Sequence, residues 1–187
     1  MAFQRGFKSW ANKIASDTRT ELNLGAHDQL DPRLLAEELA IPVIDLSVLR
    51  EDAPSVSHLL TVSKSVFSAV TVFDGTRRAI VHNDSHAPVR QNSNISHELG
   101  HGLLAHPPTP AMDDTGCRIW NADIEDEATW LAGCLLIPEP ATLAIARGRW
   151  SVADAAIHFG VSEQMVLYRV NATGARARVQ RAQAVRR

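Results

Sequence analysis

The pentapeptide His97-Glu98-Leu99-Gly100-His101 constrains this chain more than any other stretch. Two imidazoles four residues apart lie one above the other on the same helix face, so both can reach a single metal ion. A carboxylate one residue past the first histidine sits where it can take a proton from a metal-bound water. Three fixed positions in five also arise by chance, and the competing reading is a surface helix with two unrelated histidines. The surrounding residues argue against it. Ile95, Leu99 and Leu103 form an apolar i, i+4, i+8 stripe about half a turn from the histidines, giving one face for a core and another for a cleft. The helix is expected over 92–105, capped by Ser93 or Asn94 and stopped by Pro107-Pro108-Thr109-Pro110. Gly100 and Gly102 each cost it about 1 kcal/mol relative to alanine, which close approach of another backbone would explain.

A second helix is expected over 123–137, ending at Pro138-Glu139-Pro140, after a loop over 111–122. Its apolar stripe is Trp130, Leu131, Cys134 and Leu135, and one turn further back the stripe lands on Glu127. A carboxylate on a buried helix face is costly unless it is paired or holds a cation. Catalytic zinc takes three protein ligands and keeps one position for water. The expected set is therefore Zn2+ on His97, His101 and Glu127, with Glu98 as the base. Glu125, Asp123 and His106 remain alternatives for the third position. Glu125 and Asp126 read more simply as solvated, and His106 as a core histidine or one behind the ligands. A third histidine six residues after His101 is ruled out, because position 107 is proline.

The preceding chain reads as two helices and a small sheet. Phe7, Trp10, Ala11, Ile14, Ala15 and Leu22 give helical spacing over 7–23, ended by Gly25. Asp31-Pro32 reads as an N-cap with proline at the first helical position. Residues 41–46 form a short β-branched run, with Pro42 favouring a sheet edge. A short helix through His58 to Val62 is one reading of the ambiguous stretch 47–65. Two β-type runs, 66–73 and 79–82, flank Asp74-Gly75, a hairpin signal. The expected class is α+β with a small antiparallel or mixed sheet.

Among 187 residues, 45% hydrophobic and 21% charged, there is room for one domain, or one plus a small appendage. No apolar run approaches the ~18 residues of a membrane span. No apolar segment follows Arg5 and Lys8 as a signal peptide would require. Cys117 and Cys134 form no Cys-x-x-Cys, and the expected setting is cytoplasmic, without membrane contact. The net charge of −2 conceals an asymmetry: residues 1–146 hold 11 Lys+Arg against 19 Asp+Glu, residues 147–187 hold 8 Arg against two acids. Within the basic section Ser151 caps a helix through Phe159, Gly160 breaks it, and Val161-Ser162 opens a second helix, a helix-turn-helix-like arrangement. The C-terminal arginines point to a contact with nucleic acid, against the plainer reading of a solvated tail. Beyond Ala172 there is little periodicity, and the tail is expected to be disordered.

Two segments together resemble the ImmA/IrrE family of metallopeptidases: His97 to Leu104, reading HELGHGLL, and Glu125 to Pro138, matching its E-x-E-A-x-x-F-A-x-x-L-L-x-P. Leu131 stands where the family has Phe. The likeness extends over about residues 7–170. It implies a zincin-like fold, His97, His101 and Glu127 as zinc ligands, and Glu98 as general base. It also implies an intracellular peptidase that cuts a helix-turn-helix repressor and so releases phage, mobile-element or stress genes. The segment Asn92-Ser93-Asn94-Ile95-Ser96 is more polar than the family's usual approach, and from the length no added sensor domain is expected. The organisation expected is a metallopeptidase domain at 1–146, a helix-turn-helix-like element at 147–172, and a basic tail at 173–187. Tyr168, His82, His86 and Arg90 are candidate oxyanion donors. The rival is a transcriptional regulator or protein-binding module with a non-catalytic zinc site, or a toxin–antitoxin component.

Overall fold

The computed structural model describes residues 3–107 and 121–185, so most of the loop expected at 111–122 lies outside it. Helices α1 (Phe7–Glu21) and α2 (Pro32–Glu38) lead into strand β1 (Val43–Asp45), a 3-10 turn (Leu46–Arg50) and α3 (Val56–Thr61). Strands β2 (Ala69–Asp74) and β3 (Arg77–His82) precede α4 (Pro88–Leu103) and α5 (Ala122–Leu136). Four shorter helices follow: α6 (Glu139–Ala146), α7 (Val152–Phe159), α8 (Glu163–Ala172) and α9 (Ala175–Ala184). The class is α+β, as the sequence implied. Among the described residues, no single helix is long and apolar enough to cross a membrane.

Of the two sheet types expected, the mixed one forms, in the order β1-β3-β2. β2 and β3 are antiparallel, with Asp74 opposite Arg77 across a two-residue turn in which Gly75 takes φ 60°. β1 lies parallel to β3, Val43 opposite Ile80, and occupies an edge, where the missing N–H of Pro42 costs nothing. β2 is the other edge.

Asp31 accepts from the Arg33 N–H at 2.8 Å ahead of Pro32, as its sequence signal indicates. α4 starts earlier than expected. Ala87 is extended and Pro88 takes the first helical position, so Ser93 and Asn94 lie inside the helix and cap nothing. At its other end, Ala105 turns left-handed with φ 53°. The Ala105 N–H then donates to the Gly102 carbonyl and the His106 N–H to the His101 carbonyl, folding the chain back on the helix. Close backbone approach at Gly100 is real: a Cβ there would sit 2.9 Å from the Ala128 carbonyl oxygen of α5. At Gly102 the nearest atom belongs instead to the Arg78 side chain.

One core gathers α1, α2, β3, α4 and α5 around Leu35, Ile80, Ile95, Leu99, Leu131 and Leu135. A second joins the end of α5 to α6–α9 through Ile137, Phe159, Val161 and Val166. Two buried arginines stitch the junction. Arg19 of α1 donates to the Leu135 carbonyl at 2.7 Å and Arg169 of α8 to the Ile137 carbonyl at 3.2 Å, satisfying oxygens that the end of α5 leaves open. Ser151 and Ser162 cap α7 and α8, and Gly160 turns between them at φ 62°. The tail departs from expectation. Ala175 and Val179, one helical turn apart, are buried, and Arg178 pairs with Glu139 of α6, so 175–184 is a docked helix.

Candidate metal centre

α4 and α5 pack at Gly100 and Ala128 closely enough for side chains flanking that contact to meet. His97 and His101, one turn apart on α4, present their Nε2 atoms to each other at 3.1 Å. The Glu125 carboxylate of α5 completes the group, with one oxygen 3.1 Å from His97 Nε2 and the other 3.8 Å from His101 Nε2. Tetrahedral zinc with bonds of ~2.0–2.1 Å holds its ligand atoms about 3.3 Å apart, and this triad brackets that spacing. The outer ring nitrogens are also engaged. His97 Nδ1 lies 3.3 Å from Thr129 Oγ1, and His101 Nδ1 lies 2.9 Å from His106 Nδ1. With a proton on each Nδ1, both Nε2 lone pairs face inward, the form a metal requires. Burial, reinforced by His97, holds the pKa of His101 down to about 4, so its imidazole is neutral at pH 7. The donor set fits zinc.

Glu127 is where the structure departs from the expected ligand set. Its carboxylate lies 3.2 Å from His106 Nε2, and Glu125, read from the sequence as solvated, completes the triad instead. An apolar stripe marks an inward side only on a helix with one buried face, but every residue from Trp130 to Leu136 is buried, so α5 is enclosed on several sides. The informative signal was residue size. Ala128 and Ala132 fall three and seven residues after Glu125, on the face that meets Gly100. Asp123, the other acidic alternative, is exposed in the first turn of α5.

Glu98 points from α4 toward the sheet, where Thr71 of β2 donates a 2.7 Å hydrogen bond to its carboxylate. Burial raises its pKa above the ordinary carboxylate range, while the Thr71 bond and His97 pull the other way. A desolvated carboxylate has a stronger pull on a proton, as a general base needs. Neither Thr71 nor Thr129 was singled out from the sequence, since no local pattern links a strand threonine to a helix 27 residues on.

The candidate oxyanion donors mostly have other engagements. His82 is fully buried, with Nε2 2.6 Å from Asp45 Oδ1 and 2.8 Å from Arg33 Nη2. His86 Nε2 lies 2.8 Å from the Lys64 carbonyl, and Arg90 donates to Ser68 Oγ at 3.1 Å. The Tyr168 hydroxyl is buried without a hydrogen-bond partner among the described residues, and burial raises its pKa. Of the C-terminal arginines, Arg169 is fully buried and Arg178 is paired, leaving less free positive charge than the sequence count suggests.

A family model described as the IrrE N-terminal-like domain, a peptidase family, matches residues 36–171, well over half of the chain. The match takes in both α4 and α5 and ends in α8; α1 lies outside it. No curated protein matches the chain.

Proposed function

Because the chain belongs to the IrrE N-terminal-like peptidase family, we propose that it is a zinc-dependent endopeptidase, with His97, His101 and Glu125 as ligands and Glu98 as general base. The observation that carries this reading is the convergence of three metal-competent donors beside a desolvated carboxylate, within the matched residues. Zinc, when bound, supplies an acidified water and a polarised carbonyl. Glu98 takes the proton of the attacking water and delivers it to the leaving amine, while Thr71 holds the carboxylate in one orientation. The edge of β2, unpaired among the described residues and beside Glu98, receives the substrate backbone as an added strand. The substrate we infer is a regulatory protein, a helix-turn-helix repressor cut within the cell so that phage, mobile-element or stress genes are released. Support for that target comes from the resemblance of the two motif segments.

The test pairs metal analysis with cleavage. Helix-turn-helix repressors from the same genome, expressed singly, are incubated with the zinc-loaded chain, and new termini are read by mass spectrometry. Glu98→Gln should keep one zinc per chain and lose cleavage. Equal cleavage by that variant overturns the assignment of the base, and a wild-type chain that takes up no zinc overturns the metal.

A further inference from the structure

We propose that His106 and Glu127 are positioning residues that fix the proton arrangement of His101, keeping its Nε2 lone pair free for the metal; this rests on the zinc reading above. A neutral imidazole that offers Nε2 as a lone pair carries its proton on Nδ1, and that proton needs an acceptor. The atom opposite is His106 Nδ1, at 2.9 Å. It accepts only when the proton of His106 sits on Nε2, and there Glu127 Oε2 waits at 3.2 Å. Reversing the order puts a proton on His106 Nδ1, forces the proton of His101 onto Nε2 and leaves the carboxylate without a donor. The acceptor oxygen that Glu127 places against His106 Nε2 therefore sets the direction of the whole row.

The backbone serves the same end. The left-handed turn at Ala105 lets the His106 N–H donate to the His101 carbonyl at 3.0 Å, so residue 106 is tied to residue 101 by both main chain and ring. The ring of His106 is only 9% exposed and Glu127 21%, which limits competition from water. Both glutamates of the Glu125-Asp126-Glu127 segment then have work at the centre, one as a ligand and the other two bonds behind a ligand.

The test measures zinc affinity of the full chain by competition with a chromophoric chelator, alongside the ring-nitrogen NMR signals of His101. Glu127→Gln keeps the shape, but its amide can offer oxygen or nitrogen to His106, so both proton orders become allowed. Glu127→Gln and His106→Ala should still saturate at one zinc, with the dissociation constant raised ~10–100-fold. His101 should show a single Nδ1–H form in the wild-type chain and a mixture in Glu127→Gln. Circular dichroism of each variant in chelator separates weakened binding from unfolding. Wild-type affinity in folded Glu127→Gln, or a wild-type His101 that is already mixed, overturns the proposal. Loss of zinc stoichiometry in Glu127→Gln would make that residue a ligand and overturn it equally. If Glu125→Gln leaves affinity and stoichiometry untouched, the zinc reading itself has failed.

Discussion

At its N-terminal end α5 presents Glu125 to the imidazoles of α4 and Glu127 to that of His106 just past α4, with 28% and 21% of those side chains open to solvent. Ten residues further on, Leu135, Leu136 and the capping residue Ile137 have no exposure, and the carbonyls of Leu135 and Ile137 are held by Arg19 and Arg169. Both ends carry polar groups that a helix cannot satisfy alone. At the far end, guanidinium groups from α1 and α8 satisfy them permanently. At the near end, ring nitrogens and carboxylate oxygens face one another around a space suited to a cation. The anionic first turn also sits at the positive pole of the helix dipole, which favours the carboxylates. The contrast assigns stability to one end of α5 and chemistry to the other.

Substitutions at the two ends should therefore have separable effects. The largest is expected at the sealed end. Arg19→Ala leaves the Leu135 and Gly25 carbonyls without their donor and should lower unfolding free energy by about 3–5 kcal/mol in urea titrations. Its zinc stoichiometry should hold under native conditions. A loss below ~1 kcal/mol, or a chain that stays folded yet takes up no zinc, would break the division. Gly100→Ala tests the contact between the two helices. The added methyl meets the Ala128 carbonyl, and after the gain in helix propensity a net cost of about 1–2 kcal/mol is expected, together with weaker zinc binding. Unchanged stability and affinity would mean that the helices can part without consequence to the centre. The smallest effect belongs to Asn121, whose side chain caps α5 through the Asp123 N–H at 3.1 Å. Asn121→Ala should cost about 1 kcal/mol by urea titration and leave Arg19-dependent stability intact, as a double-mutant cycle would show.

The sequence and the structure agree where chemistry is local. His97, Glu98 and His101 share one helical turn, so their spacing alone brings them together. The caps at Asp31, Ser151 and Ser162 and the turn at Gly160 are equally local. The third donor of the triad is different, because it depends on which face of α5 meets α4. That choice was made by small residues, Gly100 against Ala128, rather than by the apolar stripe that pointed to Glu127. The parallel pairing of β1 with β3 joins segments more than thirty residues apart, beyond the reach of any turn signal. The start of α4 is also local, set by Pro88 at the first helical position, although Ser93 and Asn94 offer competing cap signals further on. At the tail, abundant arginines masked the single pair Ala175 and Val179 that anchors α9.

Helices α1, α2 and α4 each end in a left-handed residue, and none of the three is glycine: Asn23, Ala40 and Ala105 have φ of 57°, 53° and 53°. Asparagine tolerates that conformation, but each alanine holds roughly 1 kcal/mol of steric cost that glycine would release. The protein thus keeps unused mutational headroom at two positions of unlike consequence. At position 40, between α2 and β1, an evolving lineage could gain heat tolerance without changing turnover. At position 105 the same exchange would loosen the turn that carries His106, trading hardiness against the centre it supports.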